Sequence, residues 1–325
     1  MSAWPIAPGD VEKARERLRP HLSPTPLRSY AELDAAVGRA IRVVVKHENF
    51  QPTGSFKVRN GVSALTALPA ESRERGVVAA TRGNHGLGLA WAGRRLGVPV
   101  TVFVPLGNNP EKNAAVRGLG ARLVEEGKDY DESVAAVERL VREEGLHLVH
   151  STNDEAVVAG AGTLTLEMLE EEPGIEALVY SVGGGSQAVG GLTVARALKP
   201  GLPVYAVQAA GASAIHDAWH LGRPVSRPSA FTFADGLATR NTYPFTFGAL
   251  REGLTGFVTV TDAEIAAAVR LVLETTHTLV EGAGAAGLAG LLKLREALAG
   301  KTVGIVLSGA NIDRDTLRRV LTGDL

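Results

Sequence analysis

The chain has 325 residues, of which 34 are basic and 35 acidic, for a net charge of −1; 45% are hydrophobic and 21% charged. That size and balance predict a packed chain of two domains, at roughly 150 residues each, and give no electrostatic case for nucleic acid or an anionic membrane as partner. With no cysteine, disulfides and thiolate chemistry are excluded and a reducing cytoplasm is the natural compartment.

Met1 to Asp10 lacks the basic-then-apolar pattern of a signal peptide. Val43-Val44-Val45 is the first strand candidate, followed by Gln51-Pro52-Thr53-Gly54-Ser55-Phe56-Lys57. Val77-Val78-Ala79-Ala80 predicts a strand, Thr81 to Gly86 a polar loop and Leu87 to Ala92 a helix. Val100 to Val104 is a further strand. Asn109-Pro110-Glu111 reads as N-cap, first-turn proline and dipole-favoured acid, with a helix to Gly118 or Gly120. Ala121 to Val124 is a strand, and Asp131 to Glu144 a helix with Val134, Val137, Leu140 and Val141 on one face. The acidic run Glu167 to Glu172 reads as a solvated helix end without a function. Ala177 to Val182 is a strand ending in Gly183-Gly184-Gly185-Ser186-Gln187. Val204 to Val207 leads to Gln208, and Thr261-Asp262-Ala263-Glu264 is a capping box before a long helix. The longest apolar stretch, Gly282 to Leu292, is shorter than the roughly 20 residues a bilayer span needs. Val303 to Leu307 ends in Ser308-Gly309-Ala310-Asn311. Such strand–helix alternation predicts an α/β fold with mostly parallel sheet and helices on both faces.

Four polar loops thus follow buried strands, at the carboxyl ends where open α/β sheets bind ligands. Lys57 follows a tight Thr-Gly-Ser turn that can aim its amine into a pocket, as a Schiff-base lysine requires. The triple glycine lets consecutive N–H groups curl around an anion, and the following helix adds its positive end; phosphate is the natural guest. The loop matches neither the dinucleotide fingerprint nor the P-loop.

Together the four segments resemble fold-type II pyridoxal-phosphate enzymes, in particular the threonine dehydratase and serine racemase branch, from about Pro8 to Leu321. The resemblance implies two open, mostly parallel twisted sheets, with a small domain (68–149) inserted into a large cofactor-binding domain (1–67 and 150–325). It implies pyridoxal 5'-phosphate carried on Lys57, with Phe56 against its ring and Asn84 bonded to its ring oxygen. Gly183, Gly184, Gly185, Ser186 and Gln187 are expected to hold the phosphate, and Ser308 to face the pyridine nitrogen. Thr81, Arg82, Gly83 and His85 are the expected substrate contacts. A homodimer or higher homo-oligomer is implied. The chain ends soon after the last motif, so the regulatory domain of biosynthetic relatives, and feedback inhibition through it, are not expected.

The implied reaction is dehydration and deamination of a free hydroxy amino acid, L-threonine to 2-oxobutyrate and ammonia, with L-serine a second substrate. Ser308, a hydroxyl rather than a carboxylate, leaves the pyridine nitrogen neutral and favours elimination over transamination. Arg82 stands where serine racemase has its second base, and a guanidinium cannot serve as one, which disfavours racemisation. Two readings of Arg82 stand: it pairs with a substrate carboxylate, as in 3-hydroxyaspartate, or with an acid on the surface. His85 follows Asn84 where β-replacement synthases usually carry threonine. A non-catalytic cofactor-binding protein conflicts with the intact set of Lys57, Asn84, glycine loop and Ser308. No metal is expected: racemase-like relatives have a glutamate after this strand and an aspartate a few residues on, whereas here Gln208 and the stretch Ala209 to Ala214 offer no carboxylate, and His216, Asp217 and His220 read as a solvated helix face. Glu281 and the segment Phe233 to Ala238 resemble family segments near the cofactor.

Overall fold

Strands buried on both faces read as unbroken apolar runs, and the runs read from the sequence are strands. The computed structural model describes residues 4–128 and 130–325. Ten strands are present among them: β1 (Leu27–Arg28), β2 (Arg42–Lys46), β3 (Val77–Ala80), β4 (Val100–Val104), β5 (Arg122–Glu125), β6 (His147–Leu148), β7 (Ala177–Ser181), β8 (Val204–Ala209), β9 (Gly256–Val260) and β10 (Thr302–Val306). They form a six-stranded sheet of order β1-β2-β10-β7-β8-β9 and a four-stranded sheet of order β5-β4-β3-β6. Every pairing is parallel except β1 with β2. No described helix is long and apolar enough to cross a membrane.

Alternation along each strand divides the cores. Val43 and Val45 of β2 join Val179 of β7 and Ile305 of β10 under the helices Asp262–Thr276 and Gly282–Leu294. Val44, Leu178 and Tyr180 point the other way, toward the helices Glu155–Glu171 and Ser186–Leu198. In the smaller sheet Val77 and Ala79 face the helices Lys57–Ala67 and Asn84–Leu96, while Val78 and Ala80 pack on Ala136, Val137 and Leu140. The apolar stretch from Gly282 is therefore a core helix. The expected caps form: Asn109 accepts from Glu111 N and Lys112 N, and Thr261 and Glu264 close their capping box. The helix read from Asp131 spans Tyr130–Glu144.

The helix that begins at Lys57 crosses the helix that begins at Asn84 with backbone against backbone. A Cβ on Gly88 would lie 2.4 Å from the carbonyl oxygen of Lys57, and one on Gly61 2.5 Å from that of Gly88. Only glycine permits this approach, and it fixes two candidate site loops relative to each other.

The reading of the acidic run is corrected at Glu167, while Glu170 and Glu171 are exposed as expected. Glu167 is not a solvated helix end: it lies 14% exposed, bonded to Arg59 Nη1 at 2.6 Å and to Lys46 Nζ at 2.6 Å. Arg59 also forks onto Glu48, through Nε and Nη2 at 2.8 Å each, and Thr25 Oγ1 donates to the same carboxylate. Lys46, Glu48 and Arg59 are buried. Burial alone would raise the Glu48 carboxyl, but the Arg59 charge and bonds, with Lys46 behind, hold it below its ordinary value. This closed network ties β2, the Lys57–Ala67 helix and the Glu155–Glu171 helix together.

Candidate active site

The carboxyl ends of β2, β3, β7 and β10 deliver their loops to one cleft. All expected site residues line it: Phe56, Lys57, Thr81, Arg82, Gly83, Asn84, His85, Gly183, Gly184, Gly185, Ser186, Gln187 and Ser308. The Lys57 turn is stitched to the Ser308 turn, with Phe56 N–H donating to the Ser308 carbonyl at 3.0 Å and Ala310 N–H to that of Gly54 at 2.8 Å. Lys57 Nζ lies 4.8 Å from the Phe56 ring centroid and donates to Ser186 Oγ at 3.2 Å. Burial lowers the Lys57 ammonium from 10.5 to about 8, because desolvation disfavours its charged form.

The glycine loop is shaped for an anion. Gly185, at φ 101°, precedes the helix Ser186–Leu198, whose N-terminus carries no side-chain cap. Its first-turn N–H groups and dipole are thus open to the cleft. A Cβ at Gly183 would meet the Gly236 carbonyl at 2.2 Å, and one at Gly184 the Thr152 hydroxyl at 2.0 Å. Gln187 Nε2 is buried without a hydrogen-bond partner.

The β3 loop is held more tightly than its sequence shows. Thr81 Oγ1 accepts from Gly83 N–H at 3.0 Å, so this hydroxyl shapes the loop. Asn84 is clamped: its Nδ2 donates to Glu281 Oε1 at 2.6 Å, and its Oδ1 accepts from Asn311 at 2.7 Å. His85 turns its ring away, and its Nε2 donates to the Val149 carbonyl at 3.0 Å. Burial, with the nearby Lys57 charge, lowers His85 to about 3 and keeps it neutral. Arg82 is half-buried, lines the cleft and has no ion-pair partner among the described residues. Among the described residues no surface acid pairs with it.

Several cleft residues carry no sequence motif. Lys112 reaches across to Asp235 at 2.7 Å. Ser151, Thr152, Thr239 and Tyr243 also line the cleft. The polar pair after the short apolar run Leu148-Val149 repeats the strand-end pattern and is the one signal that could have found Ser151 and Thr152. In place of a metal ligand, Gln208 is buried, its Oε1 accepting from His216 N–H at 3.0 Å. His216 is partly buried rather than solvated, its ring edge-on to Phe257.

Glu281 is buried at the start of the Gly282–Leu294 helix, and desolvation raises its carboxyl from 4.5 to about 7, against the Lys112 charge and the Asn84 bond. The folded protein therefore holds this proton more tightly than the unfolded chain. Its contribution is fully present below about pH 4.5 and is lost as pH rises through about 7. Urea unfolding is expected to show the wild type losing ground to Glu281→Gln between pH 5 and 7. A difference independent of pH would contradict the assignment.

The family model described as "Pyridoxal-phosphate dependent enzyme" matches residues 18–309, and the chain belongs to that family; its cofactor is pyridoxal phosphate. Ammonia-lyases are among the relatives it matches. It is 38% identical to the L-threonine ammonia-lyase of Geobacter sulfurreducens over 96% of this chain and 77% of that one. It is 32% identical to the L-threo-3-hydroxyaspartate ammonia-lyase of Saccharomyces cerevisiae over 97% and 96%. Maize serine racemase superposes with a TM-score of 0.92 at 28% identity, over 99% of this chain and 98% of that one. The resemblance read from the four loops, and the fold expected from it, are borne out.

The cleft fits the cofactor: an amine of lowered proton affinity stands beside an uncapped helix N-terminus, across a cradle that any Cβ would fill.

Proposed function

We propose that this enzyme removes water and then ammonia from a β-hydroxy amino acid, L-threonine first and L-serine second, giving the 2-oxo acid. The observation that carries the reading is the Lys57 amine, lowered to about 8 and 3.2 Å from Ser186 at the glycine loop. When bound, pyridoxal phosphate supplies the electron sink for the Cα–H pair. Lys57 would carry the cofactor, and its amine, lowered to about 8, is suited to take up a proton at the substrate Cα in mildly alkaline solution. Gly183 to Gln187 would hold the phosphate through backbone N–H groups and the helix dipole. The uncapped first turn at Asn84 and His85 holds the substrate α-carboxylate in the same way. Ser308 would offer the cofactor ring a neutral hydroxyl, and Asn84, clamped by Glu281 and Asn311, would offer it an amide. The Lys112–Asp235 pair spans one side of the cleft at 2.7 Å, and the enamine product, once released, hydrolyses in water. A homodimer resident in the cytoplasm belongs to the same proposal.

The test is a panel measuring 2-oxo acid and ammonia from L-threonine and L-serine. Both products are expected in equal amounts, with threonine favoured. A visible cofactor band with no ammonia from any hydroxy amino acid would overturn the reading.

A further inference from the structure

We propose that Arg82 and the recess beside it form a subsite for a second carboxylate on the substrate side chain, so that β-hydroxy amino acids bearing one are also dehydrated and deaminated. The inference rests on the function proposed above and extends its substrate class.

The cleft presents three cationic side chains, Lys57, Arg82 and Lys112. Two are committed. Lys57 is the reactive amine, and Lys112 is paired with Asp235 at 2.7 Å, its charge favoured further by Glu281. Arg82 is left over: among the described residues it has no ion pair, and its Nε is buried without a hydrogen-bond partner. A buried donor left unmade carries a desolvation penalty that an acceptor in the cleft would remove. The two uncapped helix N-termini are allotted to the phosphate and the α-carboxylate, so an anion at Arg82 is a third one.

The shape agrees with the charge. Beyond Arg82 the cleft continues into a second recess lined by Pro228 to Phe231 and by Arg240 and Asn241. Arg82, Ala238, Thr239 and Tyr243 line both spaces, so Arg82 stands at their junction. A threonine methyl needs neither a guanidinium nor a second recess. A carboxylate takes the planar fork in a bidentate way that an ammonium cannot match.

The chemistry balances without a co-reactant. The Cα–H and Cβ–O bonds break, water leaves, and the released enamine takes up one water as it loses ammonia. The net products are a 2-oxo diacid and ammonia.

The binding test uses holoenzyme with succinate and butyrate, unreactive acids of equal length that differ by one carboxylate. Calorimetry is expected to give a Kd at least ten-fold lower for succinate, a preference that Arg82→Gln removes and Arg82→Lys partly restores. Equal binding by the wild type, or a preference surviving in Arg82→Gln, overturns the subsite. In turnover, the ratio of kcat/KM for 3-hydroxyaspartate to that for L-threonine is expected to fall at least ten-fold in Arg82→Gln; an unchanged ratio overturns the subsite as well. Ammonia from neither substrate in the wild type would overturn the proposed function instead, while threonine turnover without any diacid preference would remove only the subsite.

Discussion

Lys57→Ala is expected to lower kcat by about 10²–10⁴-fold, the range typical of losing one positioned proton-transfer group, and to abolish covalent retention of the cofactor. The expectation follows from position rather than residue type. The amine is fixed by the turn below it, which Phe56 N–H and Ala310 N–H tie to the β10 loop. It is fixed again from the side, where the Gly61 and Gly88 backbones touch. The stem is half-buried, so alanine leaves the fold in place while emptying the reactive position. The cofactor-free variant should unfold at nearly the wild-type urea midpoint, which separates lost chemistry from lost structure. Cofactor should still enter through the glycine loop, reversibly and without a dialysis-resistant fraction. Turnover within ten-fold of wild type would contradict the role.

Arg59→Met is expected to cost about 3–5 kcal/mol of unfolding free energy, the range for breaking a buried ion pair by removing one partner. Arg59 satisfies two carboxylates at once, with four contacts of 2.6–2.8 Å to Glu48 and Glu167. Methionine fills most of the volume but leaves the two carboxylates with Lys46 as the one remaining cation of the network, Glu48 keeping only the Thr25 and Gln51 donors. Because Arg59 holds Glu48 below its ordinary 4.5, this stabilisation is present above that pH and is lost as pH falls through the folded value. The penalty of the variant should therefore shrink in acid. Adding Glu48→Gln should recover part of the loss, since the orphaned charge is then gone. Urea unfolding of the cofactor-free protein at pH 7 and pH 4 measures all three; a loss under about 1 kcal/mol at pH 7 would show the network to be dispensable. Arg59 lies two residues beyond Lys57 on the same helix, so loosening it should also blunt activity.

The legible parts of the chain were those written locally. Val43 to Val45, Val77 to Ala80 and Val303 to Leu307 are buried on both faces, so each announces a strand, and the polar loop after each announces a strand end. Asn109 and Thr261 cap through bonds to residues two or three positions on, which spacing can show. β9 was not read, because its Gly256 and Thr259 break the apolar run. Glu167 was misread because its partner Arg59 is 108 residues away, and nothing near it distinguishes a network acid from a solvated one. Lys112 and Asp235 were equally hidden as a pair, since Lys112 sits on the helix Pro110–Gly118 of the smaller sheet and Asp235 on a short turn between β8 and β9 of the larger one, and they meet only across the cleft. The clamp on Asn84 joins positions 84, 281 and 311, a three-way contact that the fold creates and no single segment encodes.

The central claim is that Lys57 Nζ carries the cofactor covalently, and borohydride reduction followed by peptide mapping tests it most directly. The account expects one stable pyridoxyl group per chain, on the peptide holding Thr53 to Arg59 and on Lys57 itself, with Lys112 and Lys46 unlabelled. A label on another lysine, or none on a protein that still shows the visible band, would contradict it.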